Sequence, residues 1–166
     1  MANASYVNNG TALLFNGESG ADVAFSVEGV ADAAGQTSAQ HDAGAAPRPY
    51  LYTWSCEVQW QATPTQYGVL ELYVAEAPDA DANQVAGDQG VADAALSDLD
   101  CVRNMRLIGT VVSENAVASE KCVGSGEFVS YSRYFSIVAV NNGGSTINAT
   151  DSAFRFDLTP RYIELQ

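Results

Sequence analysis

The chain has 166 residues, 20 Asp+Glu against 7 Lys+Arg, and a formal net charge of -13, yet only 16% of its residues are charged. That balance excludes a nucleic-acid or anionic-membrane binder, because phosphate contacts need clustered Lys and Arg, and the single histidine, His41, excludes a multi-histidine metal site. Apolar residues make up 47%, enough for one domain with its own core, and no apolar run approaches the ~20 residues that span a bilayer.

Residues 1–10 are polar, Asn-rich and aperiodic. They read as an extended N-terminal arm ahead of a single domain over residues 11–166. The opening MANASYVNNG lacks the basic and apolar stretches of a signal peptide. The expectation is therefore cytoplasmic synthesis, with the sequons at Asn3, Asn9 and Asn148 unused. Cys56, Cys101 and Cys122 then read as free thiols, a Cys101–Cys122 bridge being the alternative. Residues 11–15 form a short apolar run and residues 16–20 a turn. Val23, Phe25 and Val27 alternate across residues 21–27, which reads as a strand. Residues 31–49 are rich in Ala, Gly, Ser and Pro and read as loop, with one short strand around residues 38–42.

Residues 52–62 give the clearest pattern. Trp54, Cys56, Val58 and Trp60 point one way, and Thr53, Ser55, Glu57, Gln59 and Gln61 the other. Strict alternation marks a half-buried antiparallel strand, with both tryptophans in the core. Residues 63–68 turn the chain. Residues 69–75 return with Leu70, Leu72 and Val74 on one face, so a long hairpin is predicted.

Residues 76–100 hold seven acids (Glu76, Asp79, Asp81, Asp88, Asp93, Asp98 and Asp100) and no Lys or Arg. They read as a long solvated loop with one helical turn near residues 91–96. A strand follows over residues 107–112, a loop over 114–126, and one or two strands over 128–140. Asn141-Asn142-Gly143-Gly144 reads as a hairpin turn, leading to a strand over 152–159 that Pro160 breaks before a short terminal strand over 162–165. About seven to nine short strands joined by Gly, Asn and Pro turns describe an all-β antiparallel sandwich, jelly-roll-like.

Candidate chemistry is sparse. Asp79-Ala80-Asp81-Ala82-Asn83 begins like a calcium loop, but Gln84 stands where Gly is needed and Gly90 where a bidentate carboxylate is needed. A solvated acidic loop is the better reading, and a non-standard calcium site at Asp79, Asp81 or Asp88 the alternative. Glu57 and Glu71 face each other across the predicted hairpin, but like charges on a wet sheet face are ordinary. His41 would have to be the base of any Ser-His-Asp arrangement, and no G-x-S-x-G elbow accompanies it. The expectation is a non-enzymatic protein with no catalytic, cofactor-binding or metal-ligating residues. Tyr67, Tyr131 and Tyr134 are the aromatics freest to stack on a sugar.

Three stretches carry a resemblance. The first runs from Ser38-Ala39-Gln40-His41-Asp42 through Arg48-Pro49 and Tyr52-x-Trp54 to Gln59-x-Gln61-Ala62-Thr63-Pro64-Thr65. The second is Arg103-Asn104-Met105-Arg106-Leu107-Ile108-Gly109-Thr110-Val111-Val112. The third is Tyr134-Phe135-Ser136-Ile137-Val138-Ala139-Val140-Asn141-Asn142-x-Gly144, with the closing Thr159-Pro160. In this order they resemble a family of small virion structural proteins of tailed bacteriophages, described as head decoration or minor structural components. The resemblance spans residues 21–165 and rests on strand and turn patterns. It implies a β-sandwich that binds other virion proteins, and it transfers no catalytic residues. The expected function is a capsid decoration protein on the outside of the head, made in the host bacterial cytoplasm. Its partners would be the major capsid protein or other virion proteins, and sister copies in a trimer or other symmetric oligomer. Neither nucleic acid nor membrane is an expected partner. Tyr6, Val7 and Leu13, in or near the arm, are the expected assembly contacts. The alternatives are a neck, tail or fibre-base protein with the same sandwich, or a carbohydrate-binding adhesion module.

Overall fold

Two antiparallel sheets pack face to face. The structure, a computed structural model, describes residues 5–45, 48–80, 91–114 and 117–165. The first sheet runs in the order β10 (Lys121–Val129), β6 (Leu51–Gln59), β12 (Phe154–Leu165), β2 (Leu13–Asn16) and β3 (Val23–Ala24), with β1 (Ser5–Asn9) also on β12. The second runs β8 (Ala94–Ala95), β4 (Ala34–Thr37), β11 (Tyr134–Asn142), β7 (Val69–Ala77) and β9 (Arg106–Val112), with β5 (His41–Asp42) on β11. All pairings are antiparallel except the short β2–β3 pair. The predicted all-β sandwich is what the chain forms.

Alternation places the core where the sequence puts it. Trp54, Cys56, Val58 and Trp60 on the first sheet meet Leu70, Leu72, Val74 and Ile137 on the second. Both tryptophans are buried, Trp54 at 4% exposure and Trp60 at 0%. Each buried Val, Leu or Ile side chain of this core contributes roughly 1.5–3 kcal/mol by leaving water.

Pairing departs from expectation. Strands β6 and β7 do not form a hairpin; they lie in different sheets, and residues 63–68 arch across the sandwich between them. The turn after β11 does the same, carrying the chain over to β12. Asn141, next to last in β11, is buried and fully used. The side-chain oxygen accepts from Trp60 Nε1 at 3.1 Å and Gly143 N at 3.0 Å. Its Nδ2 donates to Val30 O at 3.1 Å and Ser145 O at 2.8 Å. Asn-Gly chemistry makes a turn here, as read, but one that ties the two sheets together.

Four local expectations also change. Residues 121–129 are a full strand, not loop. Residues 21–27 pair only at Val23–Ala24, although Phe25 and Val27 are buried. The strand read around residues 38–42 splits into β4 and β5 on either side of Ser38, whose Oγ accepts Ile137 N at 3.0 Å. Pro160 does not break β12. Gly10 N donates to Pro160 O at 2.8 Å, so the missing N–H of Pro160 faces the gap between β1 and β2, where the ladder is already interrupted.

The acid-rich stretch is partly a cover. No helical turn occupies residues 91–96; Ala94–Ala95 is a short strand on β4, and a 3-10 turn follows at Leu99–Asn104. Leu96, Leu99, Val102 and Met105 pack on Ala75, Ala77, Val138 and Val140 across the outer face of the second sheet. Asp93 pins this cover down, accepting from Ser26 N at 3.0 Å and from Gln36 Nε2 at 2.5 Å. Asp81 and Asp88, on which the calcium alternative depends, lie outside the described residues.

Candidate functional site

The expected assembly residues fall at one end of the sandwich. Residues 5–9, read as an arm, form a strand of the chain's own first sheet, pairing from Ser5↔Leu165 to Asn9↔Arg161. Gly10 sends its N–H to β12, so strand alternation turns the amides of Asn8 and Tyr6 toward β12 as well. The amides of Val7 and Asn9 point the other way. Among the described residues β1 pairs with β12 alone, so the Val7 side of its backbone is an unpaired sheet edge.

Leu13, the third expected contact, sits on β2 opposite Leu158 and is half buried against the core. It lines a groove of about 270 Å³ with Thr11, His41, Tyr52, Pro160 and Tyr162. His41 stands edge-on to two phenylalanines, with ring centroids 6.1 Å from Phe15 and 5.2 Å from Phe135. Burial holds its pKa below the usual 6.5, with Asp42 and Asp22 acting against that shift. Beside it, Asp42 accepts two 2.7 Å hydrogen bonds from Arg133. That pair and the Gly44 amide bring the Asp42 pKa down to about 2. Its contacts with Phe15 and Phe135 give His41 the surroundings of a packing residue.

The same end carries an aromatic corner. Tyr50 and Tyr131 stack with their rings 6° from parallel and centroids 6.4 Å apart. With Arg48 and Ser130 they line an open, mainly apolar hollow of about 340 Å³. Tyr50 and Tyr162 continue the inward-facing rows of β6 and β12 past the end of the core, which leaves them exposed at 39% and 38%. The sequence reading picked out Tyr131 but not its partner Tyr50, because the two lie 81 residues apart and meet only through the β6–β10 register. Tyr67 projects from the arch at the opposite end, and Tyr134 is half buried under the Arg133 guanidinium at 4.8 Å. The three aromatics do not form a row.

Other candidates are kept apart. Glu57 pairs with Lys121 on the first sheet, whereas Glu71 accepts from Tyr73 Oη at 2.9 Å on the second. The facing carboxylate pair disappears with the hairpin. All three cysteines are free, Cys56 and Cys122 buried and Cys101 partly so, so the bridge alternative is not taken. Among the described residues no group of three His, Cys, Asp or Glu is placed to hold a metal ion. Compared with known families and curated proteins, the chain matches no family model and no curated sequence.

Proposed function

We propose that the protein is a non-enzymatic structural component of a tailed-phage virion that docks on the outside of the head. The observation that carries this reading is β1, an N-terminal strand built into the sandwich whose outer edge is unpaired among the described residues. A free edge is a template for strand addition by a neighbouring subunit, in which main-chain hydrogen bonds supply affinity. The resemblance over residues 21–165 supplies the virion context. The acidic surface favours the outside of a particle, away from packaged DNA. Sister copies would join through the same edge into a symmetric oligomer.

The test separates docking from folding. Val7→Pro deletes an outward-facing amide and leaves the β12 ladder intact, since proline is tolerated on an edge strand whose N–H faces away from its partner. Its thermal midpoint should stay near that of the parent, while binding to purified heads lacking the protein falls at least about tenfold, the loss of roughly one to two hydrogen bonds' worth of affinity. Deleting residues 2–10 should abolish binding. Undiminished binding by both variants would refute the edge-docking mechanism. Copy number then places the protein: hundreds per particle fit head decoration, and a dozen or fewer fit a neck or tail position.

A further inference from the structure

The turn between β10 and β11 is fastened at nearly every residue, yet it displays the most exposed large apolar side chain among the described residues, Tyr131 at 77%. Val129 O accepts from the Arg106 guanidinium. Ser130 N donates to Tyr50 O at 2.8 Å. Tyr131 N donates to Glu76 Oε1 at 3.2 Å, and Tyr131 O accepts from Arg48 Nη2 at 2.7 Å. Arg133 O accepts from Ala43 N at 2.8 Å, and its guanidinium grips Asp42. Four separate segments, at residues 42–43, 48–50, 76 and 106, hold a turn of five residues. A surface tyrosine with no role would not need this support, because exposed loop tips are normally loose. Holding an amphipathic ring in place before a ligand arrives lowers the entropic cost of binding.

We infer that Tyr131, backed by Tyr50 and flanked by Arg48, is a binding site for a carboxylated pyranose, a uronic-acid-type sugar of a glycan. A pyranose offers a flat C–H face that stacks on an aromatic ring, and its hydroxyls suit the tyrosine Oη groups at the rim. Arg48 selects the charge. Arg103, Arg106, Lys121, Arg133 and Arg155 each pair with a carboxylate. Among the described residues only Arg161, on the opposite face of the first sheet, and Arg48 form no ion pair. Among the described residues Arg48 spends only Nη2, on the Tyr131 carbonyl, which leaves donors for a bidentate acceptor. Its positive charge disfavours a cationic ligand on the ring. The protein's overall negative charge is screened beyond about 8 Å at physiological salt, so the local guanidinium dominates for a single sugar residue.

The probes are glucuronic acid, glucose and a proline-rich peptide, titrated into isotope-labelled full-length protein while amide shifts are followed. Glucuronic acid should shift the amides of Tyr50, Tyr131 and Arg133 with millimolar affinity, and glucose should bind more weakly. Tyr131→Ala should weaken binding by about tenfold, the size of one lost ring contact. Tyr67→Ala, at an exposed ring at the other end of the sandwich, should leave binding unchanged. No shifts around residues 48–50 and 129–133 would overturn the site. Equal affinity for glucose would overturn the carboxylate assignment, and shifts produced by the peptide alone would overturn the sugar.

Discussion

His41 shows how much one side chain can report. Its ring is wedged between Phe15 and Phe135, and burial keeps its folded pKa below 6.5. The unfolded chain therefore takes up a proton first as pH falls, and stability is lost on acidification from about 6.5 down to the folded pKa, below which the loss levels off. Glu28 acts in the opposite direction at lower pH, because burial raises its pKa above 4.5 and favours the folded state on acidification. Urea midpoints measured from pH 7.5 to 5 on the parent and on His41→Leu isolate the histidine: the variant should lose the slope that the parent shows in this window. Identical slopes would mean that the ring is hydrated.

The elements show which signals a sequence carries and which it does not. Alternation revealed both faces of β6 and β7, because it depends only on which side chains are buried. It did not reveal that they belong to different sheets, because alternation names no partner. Strand β10 escaped for a different reason. Its inward positions between Cys122 and Phe128 are Gly124 and Gly126, so the apolar half of the pattern is missing. The structure explains the glycines: a Cβ on Gly124 would lie 2.9 Å from Val111 Cγ2, one on Gly126 2.9 Å from Trp54 Nε1, and one on Gly109 of β9 2.3 Å from Trp54 Cζ2. The large indole occupies the space that side chains of β9 and β10 would otherwise fill. The 3-10 cover left a signal that went unread. Leu96, Leu99, Val102 and Met105 recur every third residue, the period of a 3-10 turn and not of an α-helix. The aromatic corner was half legible, through Tyr131, and the free edge of β1 was not, since no pattern in residues 1–10 marks a strand. At this scale, Gly109→Ala should destabilise the protein by about 1–3 kcal/mol through overpacking against Trp54, read as a lower denaturant midpoint. Gly20→Ala, where a Cβ meets nothing within 4 Å but φ is +107°, should cost less, about 1 kcal/mol of backbone strain.

For the whole molecule, the three thiols measure how the sandwich opens. Cys56 and Cys122 face the core on adjacent strands, whereas Cys101 lies in the 3-10 cover. Burial raises the pKa of all three, so none is a strong nucleophile at neutral pH. Reaction with a disulfide reagent should show one moderately fast equivalent from Cys101. Cys56 should react only at the rate of global unfolding, and Cys122 sooner, by local opening of the edge strand β10, where it borders a surface groove beside Glu120 and Lys121; a Cys101→Ser variant should lose the fast phase. Three equal fast phases would mean that the two sheets separate readily.

Strand β12 bears on how the protein is made. It pairs with β6, β2 and β1, and it is the last of the described strands to leave the ribosome. Until then the first sheet lacks its middle member, and β6 and the β1–β2 segment have nothing to join them. The second sheet has all its strands by residue 142 but no opposing layer to cover its apolar face. Folding of this sandwich is therefore delayed until translation has passed residue 165, and a nascent chain stalled short of that point would expose strand edges to aggregation or chaperone capture.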